Sequence, residues 1–154
     1  TSTYGIYAYG TSTEVKNNII SITRGGTGTK YCLYFGTNTA VASNNNDLYI
    51  NAPSGSNNIG YSSGAHATFA NWQAANGGAW DQNSQNVDPG YANISLDDYK
   101  PTNVAINDIG AALGITDDIT GALRSVSTPD PGAYEYSVAA KDVGVSAFIG
   151  PNPD

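Results

Sequence analysis

The sequence has few of the residues from which disulfides and metal sites are built. It holds one cysteine, Cys32, and one histidine, His66, among 154 residues. One cysteine excludes an internal disulfide, and one Cys with one His cannot complete a tetrahedral zinc site. The apolar neighbours of Cys32 indicate a packed thiol. We therefore expect neither a metal nor another cofactor.

Positive charge is also scarce. Six Lys and Arg residues stand against 13 Asp and Glu residues, for a net charge of −7 and a pI near 4.3. A nucleic-acid surface needs clustered cations to neutralise phosphates, so we expect no nucleic-acid partner. Only 12% of the residues are charged, and a surface solvated by Asn, Ser, Thr and Gly favours a secreted or cell-surface protein.

Long apolar runs are missing as well. No stretch of 18 apolar residues occurs, and no basic start is followed by an apolar run, so the sequence predicts neither membrane insertion nor a signal peptide. The sequence also contains no methionine. We interpret it as a processed piece of a larger protein.

What the sequence does contain is a repeat of about 27 residues. The stretch GIYAYGTSTEVKNNIISI resembles CLYFGTNTAVASNNNDLYI, and a weaker third copy begins at Ile59. Tyr7, Tyr34 and Tyr61 recur every 27 residues. A fixed period of this kind is typical of repeat architectures, in which each copy forms one structural layer.

Apolar residues alternate within each copy. Ile20 and Ile22 match Leu48 and Ile50, and short alternating runs bounded by Gly, Asn and Ser predict strands rather than helices. Copies that stack in parallel would bury one continuous core. The predicted fold is therefore all-β, with a parallel β-helix of about three coils in residues 1–67.

Asparagines recur at one corner of the repeat, where Asn17 and Asn18 match Asn45 and Asn46. A stacked amide can donate to one coil and accept from the next, and Asn tolerates a left-handed turn. We predict a structural asparagine ladder. Sugar recognition by the same row is the alternative.

The alternation also predicts an outward row of tyrosines. If Leu33 and Phe35 face the core, Tyr34 faces solvent, and Tyr7 and Tyr61 occupy equivalent positions. Such a row can stabilise neighbouring strands by cross-strand contact. It can also form a platform for sugar rings, so Tyr7, Tyr34 and Tyr61 are candidate sugar-stacking residues.

The strand rhythm stops at residue 68. Thr68 is placed to cap a short helix that carries Phe69 and Trp72 on one face and ends at Gly77 or Gly78. This helix and an irregular closing segment are predicted to span residues 68–137. Isolated apolar residues are expected to anchor the irregular chain, namely Val87, Tyr91, Leu96 and Ile106.

The stretch TDDITGALRSVSTPDPGAYEY, residues 116–136, gathers four acids around Arg124. Grouped carboxylates can form a catalytic cluster. A lone arginine can instead pair with one or two of the acids in bidentate fashion and fasten the loops together. We favour a structural clasp formed by Asp118, Arg124, Asp130 and Glu135, with Asp117 beside it. No calcium-loop spacing supports a bound Ca²⁺.

The ordered motifs NVDPGY, LDDYKPTNVAINDIG, DITGALR and PDPGAYEY resemble the segments that end right-handed parallel β-helix (pectate-lyase-like) regions. Such regions occur in large exported adhesins of gliding, type IX-secreting bacteria. The similarity covers residues 68–136. Asp118, Gly121 and Arg124 match the family's D-I-x-G-x-x-R, whereas Pro131 replaces the usual Ile of P-D-I-G-A-x-E. The resemblance implies a right-handed coil and an end structure rather than an active site.

Alternation returns near the end of the sequence, at Val143, Val145, Ala147 and Ile149. In residues 138–154 it predicts a linker and the first, truncated strand of a following β-sandwich-like module. Neighbouring modules of the same chain are therefore expected partners.

These observations favour a noncatalytic, structural or adhesive module of a large exported protein, with polysaccharide as a candidate ligand. A polysaccharide lyase or glycoside hydrolase of the same fold is the first alternative, and a trimeric fibre or tail-spike segment is the second. A lyase needs a basic residue, for which Lys16, Arg24 and Lys30 are the candidates.

A glycoside hydrolase needs two carboxylates on either side of the scissile bond. Outside the clasp, the acids are Glu14, Asp47, Asp81 and Asp88. The repeat alignment pairs Glu14 with Ala40 and Asp47 with Ile19. It therefore predicts no pair of acids on successive coils.

Overall fold

Eight strands and one short α-helix make up most of the regular structure in the computed structural model, which describes residues 1–10, 12–36 and 41–137. The strands are β1 (Thr3–Ala8), β2 (Thr13–Lys16), β3 (Ile19–Ile22), β4 (Thr29–Phe35), β5 (Val41–Asn44), β6 (Asp47–Ile50), β7 (Ser56–Tyr61) and β8 (Ala65–His66). The helix α1 spans Phe69–Gln73. The chain is all-β in class, as predicted. The strand predicted at 143–149 lies outside the described residues.

The strands pair between successive repeats. One sheet has the order β1-β4-β7-β8, a second joins β2 to β5, and a third joins β3 to β6. Every pair is parallel except β7 with β8. Tyr7 lies opposite Tyr34, which lies opposite Tyr61, so the predicted tyrosine register is confirmed. We call β1 to β7 the strand stack.

The repeat is not uniform in length. Ile20 pairs with Leu48, as predicted, but Glu14 pairs with Ala42 and not with Ala40. The prediction failed because it aligned the Gly-Thr motifs of the two turns. Residues 36–40 separate β4 from β5, whereas residues 9–12 separate β1 from β2, so the second turn is longer. Strand positions follow the hydrogen-bonded register and not the similarity of the turns.

The core lies between the three sheets. Leu33 and Leu48 are fully buried, and Phe35 is nearly so. In the next layer Gly60 stands opposite Leu33, and a methyl group added at Gly60 would overlap the ring of Trp72. The indole of Trp72, carried by α1, therefore fills the space that a side chain at Gly60 would occupy.

The caps of α1 agree with the prediction at one end only. Thr68 Oγ1 accepts a hydrogen bond from the backbone N–H of Asn71 at 3.2 Å, as predicted. The α-helix ends at Gln73, earlier than expected, and a 3-10 turn covers Ala75–Gly78. Gly77 and Gly78 have φ values of 68° and 79°, which an α-helix cannot accommodate.

After α1 the chain adds a partial third layer and then becomes irregular. Residues 81–87 lie along the second repeat, with a parallel bridge between Asp47 and Gln85. Residues 88–137, which we call the loop region, contain two 3-10 helices, Ile94–Leu96 and Val104–Ile106. The predicted anchor Ile106 is fully buried, but Leu96 is 77% exposed, so that prediction was wrong. Within the described ranges, no helix has the length and hydrophobicity needed to cross a membrane.

Candidate functional site

Five tyrosines cover one face of the first sheet, and we call them the tyrosine face. Tyr7, Tyr34 and Tyr61 form one file, with ring centroids 4.9 and 4.4 Å apart and ring planes within 7° of parallel. Tyr4 and Tyr31 form a second file at 5.9 Å. Rings of the two files meet edge to face, with centroids 5.0 to 5.9 Å apart.

The second file exists because the alternation of β4 shifts by one residue. Cys32 and Leu33 are adjacent and both fully buried, so Tyr31 and Tyr34, three residues apart, lie on the same outer face. A regular strand would place them on opposite faces. Tyr4 and Tyr31 were therefore missed as site residues, although their spacing of 27 residues was a usable signal.

The packing of the rings limits what the tyrosine face can bind. Tyr34 is stacked between Tyr7 and Tyr61, so other rings cover both of its faces. Ring edges and phenol hydroxyls are what the middle of the file offers to a ligand. Tyr7 is 56% exposed at the end of the file. Desolvation, followed by the neighbouring phenols, raises the pKa of Tyr34 and of Tyr31.

The predicted clasp residues do come together, although the arginine pairs differently than expected. Arg124 donates from Nη1 to the carbonyl of Asp130 at 2.9 Å and from Nη2 to the carbonyl of Gly132 at 2.7 Å. Its one acidic partner among the described residues is Glu135, at 3.5 Å. The expected bidentate pairing with one or two carboxylates was therefore wrong, because backbone carbonyls occupy the guanidinium fork.

The acids of the clasp bind backbone N–H groups instead. Glu135 accepts from the N–H of Ser125 at 2.9 Å and from that of Asp130 at 3.0 Å. The fully buried carboxylate of Asp130 accepts from Asp108 at 2.6 Å and from Tyr136 at 2.7 Å. Burial raises the pKa of Asp130, while these two hydrogen bonds act against that rise.

Asp118 is a partly exposed member of the clasp. Its Oδ1 accepts from the hydroxyl and the N–H of Thr120, both at 2.7 Å, and its Oδ2 accepts from the N–H of Glu135 at 2.9 Å. The Thr120 hydroxyl, followed by the Glu135 N–H, holds the pKa of Asp118 well below its ordinary value. The contacts with Thr120 lie within one turn, and the contact with Glu135 fastens that turn to another loop.

Two different asparagine rows join the repeats to the rest of the chain. Asn18 Nδ2 donates to Asn46 Oδ1 at 3.0 Å, which confirms the ladder at that position. Asn17 instead exchanges two hydrogen bonds with the backbone of Ala111, each 2.7 Å long. Asn45 Nδ2 donates to the Ile109 carbonyl at 2.8 Å. The ladder prediction was wrong for Asn17 and Asn45, because their left-handed backbones direct the amides toward the loop region.

Asp81 is a buried polar centre that the sequence did not reveal. Its Oδ2 accepts from Trp72 Nε1 and from Ser43 Oγ, each at 2.7 Å. Its Oδ1 accepts from Asn46 Nδ2 at 2.9 Å and from Ser84 Oγ at 2.6 Å. The carboxylate therefore ties α1, the second repeat and the third layer together. The turn-rich surroundings of Asp81 gave no sign that it would be buried.

The residues considered for catalysis are mostly buried or paired. Lys30 is 1% exposed and donates from Nζ to the carbonyls of Gly26, Gly28 and Ser54, at 2.7, 3.3 and 2.6 Å. Lys16 pairs with Glu14 at 3.0 Å on the surface. Neither lysine is placed as a free base beside a cleft.

Two of the remaining reactive groups, Asp47 and Cys32, are also enclosed. Asp47 is fully buried, and burial raises its pKa to about 7 while its Oδ1 accepts from the Val87 N–H at 3.1 Å. Cys32 is fully buried as predicted, its thiol donates to the Tyr49 carbonyl at 3.6 Å, and burial raises its pKa to about 12. Asp88 is exposed and accepts from the Gly90 N–H at 2.9 Å.

Similarity to known proteins does not assign a function to these features. No known protein family, curated protein or solved structure matches the chain. Across residues 1–10, 12–36 and 41–137, no group of three or more His, Cys, Asp or Glu side chains could hold a metal ion. The function has to be inferred from the tyrosine face, the clasp and the placement of charge.

Proposed function

We propose that this chain is a noncatalytic module of a large secreted or cell-surface protein, folded as a right-handed parallel β-helix, that contacts polysaccharide through its tyrosine face. The parallel registers of three sheets support the β-helix, because each of the first two repeats supplies one strand to each sheet and the third adds β7 to the first sheet. The right hand is the one that parallel strand crossovers adopt in nearly all proteins. The resemblance of residues 68–136 to the ends of such regions agrees with this fold.

The observation that carries the ligand part of the proposal is the exposed tyrosine face. Tyr4 and Tyr7 are 40% and 56% exposed, and they adjoin three more rings on the same sheet. Exposed apolar clusters on a folded domain mark surfaces that contact partners. Tyrosine suits sugars because its ring contacts C–H groups and its hydroxyl forms hydrogen bonds.

A noncatalytic role follows from how the acids and bases are used. A glycoside hydrolase needs two carboxylates free to reach a sugar, and a lyase needs a free base. Here Asp47, Asp81 and Lys30 are buried, and Asp130 and Glu135 accept backbone N–H groups. These groups serve the fold, so we assign them no catalytic role.

The loop region supports contact with a neighbouring module. Leu123 and Val126 are 80% and 92% exposed, and Leu96 and Ile119 are also largely exposed. Apolar side chains left in water at this density are typical of an interface. We propose that the module that follows in the same chain covers them.

Binding to a panel of immobilised polysaccharides tests the ligand proposal. We expect retention of at least one polymer, weakened about tenfold in Tyr7→Ala and in Tyr34→Ala, a change of roughly 1.4 kcal/mol. Tyr99→Ala is the matched control, because Tyr99 is 50% exposed but lies in the loop region. Circular dichroism checks that the variants fold. Equal binding by all variants would refute the role of the tyrosine face, and unsaturated product from a uronate polymer would favour the lyase.

A further inference from the structure

Two cations, Arg24 and Lys30, lie near the start of the strand stack. Neither Arg24 nor Lys30 takes part in an ion pair within the described ranges. Lys30 is buried and held by three carbonyl oxygens, and Arg24 is exposed and donates to the hydroxyl of Thr3. In a chain of net charge −7, this local excess of positive charge is unusual. The charge of the buried Lys30 is screened less by water than that of an exposed side chain.

A polar pocket of about 260 Å³ lies beside these cations. Arg24 and Lys30 line it, together with three threonines and the glycines of the loop at 25–28. The threonines are Thr1, which carries the terminal amine, Thr3 and Thr27. None of the described residues that line the pocket carries a carboxylate. Lys30 donates to the carbonyls of Gly26 and Gly28, so its charge sits directly behind the pocket wall. A wall of this composition, with the guanidinium at its rim, suits an oxyanion.

The pocket shares Thr3 and Arg24 with a groove that Tyr4 of the tyrosine face helps to line. This groove of about 330 Å³ is lined by Arg24, Thr3, Tyr4 and Ile22, so Arg24 and Tyr4 border the same space. Thr3 pairs with Lys30, and Tyr4 pairs with Tyr31 one step further along the same strands. Arg24 therefore borders both the polar pocket and the groove that Tyr4 helps to line.

We propose that the Arg24 pocket binds the anionic substituent of an acidic polysaccharide, a carboxylate or a sulfate, while the adjoining sugar contacts Tyr4. The proposal rests on the function proposed above and names the class of its ligand. The planar guanidinium can bind two oxygens of either group at once, and the threonine hydroxyls supply further donors. A neutral polysaccharide would leave both positive charges without a counter-charge.

Paired polymers that differ only in charge test this inference. The probes are polygalacturonate against its methyl ester, and sulfated dextran against dextran, titrated at low and at physiological salt. We expect the charged member of at least one pair to bind about tenfold more tightly, with the difference shrinking as salt rises. The pair that shows the larger preference identifies carboxylate or sulfate as the preferred group.

Variants assign the preference to the pocket. We expect Arg24→Gln to remove the preference for the charged polymer and Arg24→Lys to retain part of it. A lysine keeps the positive charge but lacks the paired N–H donors of the guanidinium. Lys16→Gln is the matched control, because it removes one partly exposed cation that is already paired with Glu14. An N-acetylated chain keeps the preference, which excludes the terminal amine beside the pocket as its source.

The outcomes separate this inference from the function on which it rests. Equal binding of charged and neutral polymers, unchanged in Arg24→Gln, would overturn the anion site and leave polysaccharide binding intact. If no polymer binds, inorganic sulfate is titrated while the amide resonances of residues 25–28 are followed. Shifts that disappear in Arg24→Gln would keep the anion site and refute the polysaccharide, and the absence of shifts would refute both.

Discussion

The strand stack and the loop region are held together by different forces. In the strand stack, Leu33 and Leu48 are fully buried, and backbone groups pair strand to strand. In the loop region, Ile119 and Leu123 are 70% and 80% exposed, and carboxylates such as Asp130 accept backbone N–H groups. A repeating strand satisfies its backbone through its neighbours, whereas irregular chain needs side-chain acceptors. The acids of the clasp are therefore concentrated where the strands end.

The two regions also contain carboxylates with opposite pKa shifts. Burial raises the pKa of Asp47 in the strand stack, whereas hydrogen bonds lower that of Asp118 in the loop region. The folded state therefore disfavours the ionised form of Asp47 and stabilises the ionised form of Asp118. The shift follows the surroundings of each carboxylate, because burial also raises the pKa of Asp130 in the loop region.

The largest expected effect comes from a cavity in the strand stack. Leu48→Ala should lower the free energy of unfolding by about 2–5 kcal/mol, because the residue is fully buried in the core. Urea denaturation followed by Trp fluorescence measures this change. Val126→Ala is the matched control in the loop region, where a 92% exposed side chain should change stability by less than about 0.5 kcal/mol. Similar losses in both variants would remove the distinction between the regions.

The pH dependence of Asp47 gives the next effect. Its folded pKa is about 7 against an ordinary 3.8, so the folded state holds the proton more tightly than the unfolded chain. The stability that this group contributes is complete below about pH 4 and is lost as the pH rises toward 7, by at most about 1.4 kcal/mol per pH unit. Asp47→Asn should flatten this slope in urea midpoints measured from pH 4 to 8.

The exposed Asp97 supplies the control for that series, since Asp97→Asn should leave the slope unchanged. The groups that act on Asp47 or respond to it are Cys32, Asp88, Tyr91 and Tyr136. Asp118 contributes in the opposite direction, because its lowered pKa means that its stabilisation is lost as the pH falls below the ordinary value. A slope that persists in Asp47→Asn would assign it to another group.

A change in the clasp should act locally. In Asp130→Asn an NH₂ group replaces one of the two carboxylate oxygens, so either the Asp108 N–H or the Tyr136 N–H loses its acceptor. The free energy of unfolding should fall by about 1–3 kcal/mol. Hydrogen exchange should accelerate at those two amides and stay slow at Leu48. Asp117→Asn is the control, because the Asp117 carboxylate is exposed and accepts from the Thr116 hydroxyl. Equal acceleration at Leu48 would mean that both regions unfold as one unit.

The smallest effect concerns the seam between the two regions. Asn17→Gly keeps the left-handed backbone, φ 57°, but removes both hydrogen bonds to Ala111. We expect the free energy of unfolding to fall by about 1–2 kcal/mol and hydrogen exchange at the Ala111 amide to become faster. Ser12→Gly, at φ 63°, controls for the glycine itself. Unchanged exchange at Ala111 would show that the seam is held by other contacts.

Much of the strand stack could be predicted because its signals are local. The 27-residue spacing of Tyr7, Tyr34 and Tyr61 and the alternation around Ile20 and Leu48 gave the correct registers. The error at Glu14 arose in a turn, where similar letters do not imply equivalent positions. In the clasp, the members could be named from composition, but the partners of Arg124 could not. Backbone carbonyls carry no sequence signature, so the choice between them and a carboxylate depends on the folded geometry.

By itself, the amino-acid sequence determined that this protein is built from short parallel-stacking strands and that its acids gather where those strands end. The alternation of apolar residues and the 27-residue repeat can be read directly from the sequence. They predict which apolar side chains face the core. Only the tertiary structure decided which asparagines stack, which acids are buried and which tyrosine faces are covered. Those outcomes depend on what lies opposite each side chain, and residues such as Asp81 and Trp72 meet their partners only after the chain has folded back on itself.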